Sequence, residues 1–361
     1  MCEASPELPS VIQGLWDREW RDSGRVMLLL CGPYVGFMER ELLGAKSPLF
    51  GRRTGQIRLQ AFDVHESRAF HPSYSDIDAF RTWAVCGGIP HYLRAFQSGR
   101  SFAQNVRRAL LDPLGPLFDE PRFLLLEELR EVPNYHGLLV ALATGTHTAS
   151  ALASATSLPR ANVPYYLNQL QGLGYVRKRT PLDGKAHTRQ VRYILADALL
   201  RFWFRFVFPR LSAITELGPD RAWSEQIAPQ LDSWLGSRFE DFCREVLPRL
   251  YATDGVTAAY EVGEFWSRDV QIGVVGFRQD GWTDLGECKW GAGRGANAIR
   301  QLQQAAGRFP NERGATLGLH IFARRPGPEA LPPQVRWHTL AGLYALGSDS
   351  GPREVRATTQ S

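Results

Sequence analysis

The sequence predicts an α/β protein of several domains, and three observations carry that expectation. Its 361 residues are more than one hydrophobic core usually organises. Strand-like and helix-like apolar patterns follow one another near both ends, as in layered α/β folds. Between them lies a helix–turn–helix–hairpin pattern that holds most of the surplus positive charge. Hydrophobic residues make up 44% and charged residues 22%, the proportions of an ordinary globular chain.

The first block covers residues 1–120. A helix is expected over residues 9–22, followed by a strand at residues 26–31 (VMLLLC), apolar enough to be buried. Gly32-Pro33 ends that strand. A helical pattern follows at residues 37–43, then strand-like alternation at residues 56–60 (QIRLQ). Strand, turn, helix and strand in this order suggest part of an α/β layer.

The second block covers residues 121–215. A short amphipathic helix is expected over residues 147–157, a turn at Ser157-Leu-Pro159, and a longer helix over residues 161–173. That helix sets Val163, Tyr166, Leu167, Leu170 and Leu173 on one stripe, and Gly174 closes it. Two strand-like runs, residues 175–179 and 189–195, flank a turn at residues 182–185. Helix, turn, helix and hairpin together describe a winged helix-turn-helix. Residues 160–210 contain ten Lys or Arg against Asp183 and Asp197, so this stretch is +8 within a chain of net +5. A local excess of that size fits a polyanion, and DNA is the expected partner. Candidate contacts on the second helix are Arg160, Asn162, Tyr165, Asn168 and Gln169; on the hairpin they are Arg177, Lys178, Arg179, Lys185 and Arg189. Asn and Gln suit adenine edges, whereas the cations suit phosphates. The alternatives are a solvated basic face, and a winged helix used for docking within the chain or to another protein.

The third block covers residues 222–348, with a helix expected near residues 234–250. Strands are expected at 270–277, 283–290 and 316–323, with a helix at 298–308 between the last two. A divalent-metal nuclease needs carboxylates converging on the ion and a Lys beside the attacked phosphate. Leu285-Gly-Glu-Cys-Lys-Trp290 offers Glu287 and Lys289 two residues apart, on one face of a strand. Glu240 could add a carboxylate from the preceding helix. The pattern resembles the PD-(D/E)XK nuclease core, with one departure: Gly273 stands where the metal-binding Asp is expected. Asp269 is a displaced substitute, and Asp280 and Asp284 are expected to cap a turn. A buried Glu287–Lys289 ion pair is the alternative, and Mg2+ is expected only if this site is active; no metal ligand set is assigned.

No apolar run approaches the roughly 20 residues that span a bilayer. The N-terminus is acidic and proline-bearing, unlike a signal peptide. Cys2, Cys31, Cys86, Cys243 and Cys288 form no CxxC pair, which argues against a zinc site or disulfide framework and fits a cytoplasmic protein. Residues 349–361 read as a disordered tail.

Taken in order, LLLCGPYVGFMERELLG (28–44), SPLFGRRTGQIRL (47–59), CGGIPHYL (86–93), EPRFLLLEELR (120–130), LRFWFRFV (200–207) and LGECKW (285–290) resemble the archaeal-type ATPases, an AAA+/STAND-related family. The resemblance implies a partial P-loop ATPase α/β layer with a helical lid, then a winged helix, then a PD-(D/E)XK-like domain. It implies a sensor strand at residues 28–32, phosphate contacts at Arg52 and Arg53, and a lid element at Gly88-Ile-Pro90. Yet the sequence holds no GxxxxGK[ST] loop to cradle phosphates and no apolar run ending in Asp-Glu. The expectation is therefore an N-terminally truncated relative that does not hydrolyse ATP alone, with ATP bound only if a partner or an upstream start supplies the loop. A DNA-binding protein is the leading reading; a nuclease, or an interaction protein with a protein partner or a second copy, is the alternative.

Overall fold

The structure, a computed structural model, describes residues 5–31, 44–57, 59–129, 132–183, 190–291 and 295–346. They fall into two units. One comprises Met1–Gln60, Asn168–Gly174 and Pro352–Ser361; the other comprises Ala61–Leu167 and Tyr175–Gly351. No helix among the described residues is long and apolar enough to cross a membrane.

The first unit opens with helix Leu8–Leu15, which has Pro9 in its first turn, where a missing N–H costs nothing. Helical turns continue through Ser23, and Gly24 ends them in the left-handed region at φ 62°. The helix expected over residues 9–22 is therefore present. The buried strand expected at residues 26–31 is not: the segment has no regular structure, and Met27 and Leu29 are largely exposed. Among the described residues of 56–60 there is likewise no strand, and Ile57 and Leu59 are exposed. An apolar run becomes a strand only where a neighbour completes its ladder, and among the described residues no strand precedes Val176. The helix expected at residues 37–43 lies outside the described residues.

The second unit begins all-helical. Asp63 starts helix Val64–Arg68 with a capping box: its carboxylate accepts from the His65 and Glu66 N–H groups, and Glu66 accepts from the Asp63 N–H. Helix Asp76–Cys86 follows, capped by Ser75. The aromatic run Phe202, Trp203, Phe204 and Phe206 is wholly buried, and Trp203 Nε1 donates to the Phe118 carbonyl at 2.7 Å.

Helix Ala149–Thr156 is capped by Thr148 and ends at Ser157, a non-glycine residue with φ 57°. After the turn comes helix Val163–Gly172. Strands β1 (Val176–Arg179) and β2 (Arg192–Leu195) then pair antiparallel, Val176 opposite Leu195 and Arg179 opposite Arg192.

The C-terminal part is a five-stranded mixed sheet of β3 (Tyr260–Trp266), β4 (Gln271–Arg278), β5 (Trp282–Lys289), β6 (Thr316–Ala323) and β7 (Val335–Thr339), in that spatial order. The β3–β4 and β4–β5 pairs are antiparallel, whereas β5–β6 and β6–β7 are parallel. The long helix Ala228–Thr253 packs on β3, β4 and β5, and helix Gly295–Ala306 packs on β5 and β6. Along the long helix, Leu231, Leu235, Phe239, Phe242, Val246 and Leu250 recur at three- and four-residue spacing and are buried. Ile272, Val275, Leu285, Leu302, Leu319 and Ile321 form a core with the second helix.

A β-bulge interrupts the sheet beside the long helix. Gly263 pairs with Val275 and Phe265 with Ile272, so β4 spends three steps where β3 spends two. Such an insertion re-aims the residues at and beyond it, and here the inserted stretch contains Gly273.

Candidate nucleic-acid interface and carboxylate cluster

Helix Val163–Gly172 divides cleanly by face. Val163, Tyr166, Leu167 and Leu170 are buried. Tyr165, Asn168 and Gln169 are exposed, with Arg160 and Asn162 exposed just before the helix. The Asn168 side-chain oxygen accepts from Gln171 at 3.2 Å, which leaves its amide N–H groups pointing elsewhere. Of the two adjacent tyrosines, Tyr166 is core and Tyr165 is 60% exposed.

The hairpin is less free than its charge suggests. Arg177 and Lys178 are exposed, but Arg179 is not an open phosphate contact. It donates to Asp241 at 2.6 Å and to Glu264 at 2.7 Å. Arg192 stacks over the Trp266 ring, 4.3 Å from its centroid. The Leu182 N–H donates to the Glu264 carbonyl on β3 at 2.8 Å. One side of the hairpin is thus docked on the C-terminal sheet. Lys185 and Arg189 lie outside the described residues.

Asp241, on the long helix, is the centre of that docking. Arg179, Arg201, Arg238 and Arg244 all donate to it, at 2.5–2.8 Å. Burial alone would raise its pKa, but the guanidiniums of Arg238, Arg244, Arg179 and Arg177 hold the carboxyl far below its ordinary value.

Glu240, the preceding residue, faces something different. A Cβ built on Gly273 would lie 2.8 Å from the Glu240 carboxyl carbon and 3.0 Å from its Oε2. The helix carboxylate therefore fills the volume that a side chain at 273 would take. Burial pushes the Glu240 pKa up; Arg244 opposes this, while the like charges of Glu264, Asp241 and Glu287 add to it. On β5, Glu287 pairs with Lys289 at 2.5 Å, and Lys289 also donates to Gln301 of helix Gly295–Ala306 at 2.7 Å. Glu287, Lys289 and Gln301 are thus brought together, and Glu240 is close enough to feel Glu287 electrostatically.

Two acids are not where the sequence suggested. Asp269 lies exposed in the β3–β4 turn, where its N–H donates to Ser267 Oγ, and it joins neither group. Asp280 does cap its turn, accepting from the Trp282 N–H and pairing with Arg278. Asp284 does not: it is buried in β5, accepting from Tyr251 Oη at 2.6 Å and lying 3.0 Å from His320 Nε2. His320 Nδ1 in turn lies 3.0 Å from His338 Nε2, whose imidazole burial pushes down to about 3. With His338 neutral, one consistent chain has His338 donating to His320 and His320 donating to Asp284. A hairpin-turn aspartate and a strand aspartate look alike when only their distance from a glycine is known.

The residues that the ATPase resemblance marks as phosphate and lid contacts have local work. Arg52 forms a bidentate pair with Asp17, at 2.7 Å for its closest contact, and Arg53 donates to Gln56. A Cβ on Gly88 would fall 1.8 Å from the Phe62 carbonyl oxygen, so Gly88 is required by a close backbone crossing. Pro90 is exposed and starts helix Pro90–Ala95.

Arg201, Arg238, Arg244, Asp241, Glu264 and Gln301 were not singled out by their pattern. One signal was available: Arg238, Asp241 and Arg244 stand three residues apart, the spacing of charge pairs along a helix. The partners from β1 and β3 have no local signature.

The family DUF234, described as archaea bacterial proteins of unknown function, matches residues 203–301, which include Glu240, Asp241, Glu264, Gly273, Glu287, Lys289 and Gln301. An uncharacterized protein of Methanocaldococcus jannaschii is 25% identical over 292 residues, 80% of this chain. The alignment spans 65% of that relative's length.

Proposed function

We propose that this chain is a DNA-binding protein that reads duplex through a winged helix-turn-helix. The observation that carries the reading is the split of helix Val163–Gly172: apolar residues buried, and Tyr165, Asn168 and Gln169 presented outward, with Asn162 exposed just before them. That is the disposition of a recognition helix, whose side chains meet base edges in the major groove. The exposed Arg177 and Lys178 add phosphate affinity. Fluorescence anisotropy with labelled duplexes tests this. Affinity should fall steeply with salt, and Asn168→Ala should weaken preferred sequences more than random ones. Equal binding of all duplexes by wild type and variant would leave the helix no reading role.

By the resemblance to archaeal-type ATPases, the chain is an ATPase relative without a phosphate loop, and it hydrolyses no ATP unaided. Calorimetric titration with Mg2+-ATP should show no binding heat; a saturable isotherm would sink this part.

A phosphodiesterase of the PD-(D/E)XK type is the second reading. It is favoured by the Glu240 carboxyl, which occupies the place of a side chain at 273. Against it, Glu287 already pairs with Lys289, and among the described residues no three His, Cys, Asp or Glu side chains converge on a metal position. The donor set does not fit a bound ion as it stands. Mg2+- or Mn2+-dependent plasmid cleavage that is lost in Lys289→Ala would favour this reading; no cleavage with either ion would remove it.

A further inference from the structure

The Asp241 carboxylate has about four lone-pair positions to offer, and all are occupied. Oδ1 accepts from Arg179 and Arg244, and Oδ2 accepts from Arg201 and Arg238. Arg177 is a fifth guanidinium at the same carboxylate, and nothing remains for it. Its nearest approach to Oδ1 is 4.0 Å, beyond hydrogen-bonding range, and its side chain is 53% exposed. Arg238 is only half used as well: its Nε and Nη2 reach Ser237 Oγ at 3.4 and 3.3 Å. Glu264 is spent on Arg179 and, at 3.9 Å, on Arg244. Five guanidiniums against Asp241 and Glu264 leave a surplus of three positive charges, and an ionised Glu240 would still leave two.

Like charges held together in partly desolvated space repel unless an anion joins them. Desolvation and then Arg179 push the Arg177 pKa down, and desolvation lowers that of Arg238 although Asp241 opposes it. We infer that a phosphate group binds at the seam of hairpin and long helix, bridging Arg177 and Arg238. Guanidinium forks match phosphate oxygens in pairs, and these two arginines hold the unspent donors. The inference builds on the DNA reading by placing one backbone phosphate at the docked root of the hairpin. A free phosphate ion presents the same chemistry, so the test separates the two sources.

Arg177→Gln is the variant of choice, because Arg177 gives up no hydrogen bond of the Asp241 cluster. The full-length chain and this variant are titrated with labelled duplex over a range of KCl, and separately with inorganic phosphate by calorimetry. The expected result is a log K against log [salt] slope lower by about 0.9 in the variant, with phosphate binding weakened about tenfold or more. Arg177→Lys, which keeps the charge, should restore the slope; a slope as low as that of Arg177→Gln would overturn the contact. Duplex binding with unchanged slope, together with unchanged phosphate binding, overturns the phosphate site and leaves the DNA reading standing. Phosphate binding lost in Arg177→Gln, with no duplex binding by wild type, supports a free-phosphate site and sinks the DNA reading. Wild type that binds neither overturns both.

Discussion

Glu240 and Asp241 leave the same helix one residue apart, about 100° around its axis, and enter different regions. Asp241 points into the seam with the hairpin, where four guanidiniums saturate it. Glu240 points over the bulged strand at Gly273, where a single arginine stands 3.9 Å away and other carboxylates lie nearby. The first carboxyl is pinned in its ionised form, and the second is biased toward its neutral form. The difference separates an acid that fastens the hairpin to the long helix from one that packs against Gly273 of β4. Arg238 and Arg244 come from the helix itself; the rest of the difference is made by Arg179 of β1, by Arg201 and by the bulged strand at Gly273.

The comparison breaks most visibly at Asp241. Asp241→Asn leaves buried guanidiniums without their shared counter-charge and should cost about 3–5 kcal/mol, read as a lower urea midpoint at unchanged m-value. A loss below about 1 kcal/mol would show that the cluster is not the fastening described. Next in size is Gly273→Asp, whose side chain collides with the Glu240 carboxyl; overpacking of this kind costs about 1–3 kcal/mol. The double variant Gly273→Asp with Glu240→Ala should recover most of that loss. If it does not, the two groups do not share one volume.

The pH dependence of stability sharpens the contrast, because the two signs oppose. The folded pKa of Asp241 lies below its ordinary 3.8, so its contribution is fully present above that value and is lost as pH falls beneath it. The folded pKa of Glu240 lies above its ordinary 4.5, so the folded state binds the extra proton, and stability declines as pH rises above 4.5. The stability gap between wild type and Asp241→Asn should therefore narrow below pH 3.8. The gap to Glu240→Gln should open only above pH 4.5, with the variant the more stable. The smallest effect is Glu240→Gln itself at neutral pH, a gain of no more than about 1 kcal/mol by denaturant titration. A clear loss would mean that the Arg244 contact outweighs the desolvation.

Much of this was written locally in the chain. The helix–turn–helix–hairpin is legible because its apolar stripe, Val163, Tyr166, Leu167 and Leu170, and its closing Gly174 are short-range signals. The Glu287–Lys289 pair follows from strand alternation. The run at 26–31 is more apolar than β4, yet only β4 finds neighbours to complete its ladder, and a ladder is a non-local fact. β3 was missed because Gly263 interrupts its pattern, and β7 because five residues carry little periodicity. Gly273 was read as a missing acid. That a carboxylate from another element fills its place becomes visible only when helix and sheet are packed together.

The hydrogen bond from the Leu182 N–H to the Glu264 carbonyl has a consequence for solubility. β3 ends the sheet order, and an end strand offers unpaired backbone groups to any passing strand. At this position Leu182 lies on Gly263 and Arg192 of β2 over Trp266. Acid that neutralises Asp241 would loosen this cover and present a template for a second copy of the chain. Light scattering that rises with protein concentration in acid well beneath the ordinary carboxyl range, before far-UV circular dichroism is lost, would be the mark of an uncovered edge and not of general unfolding.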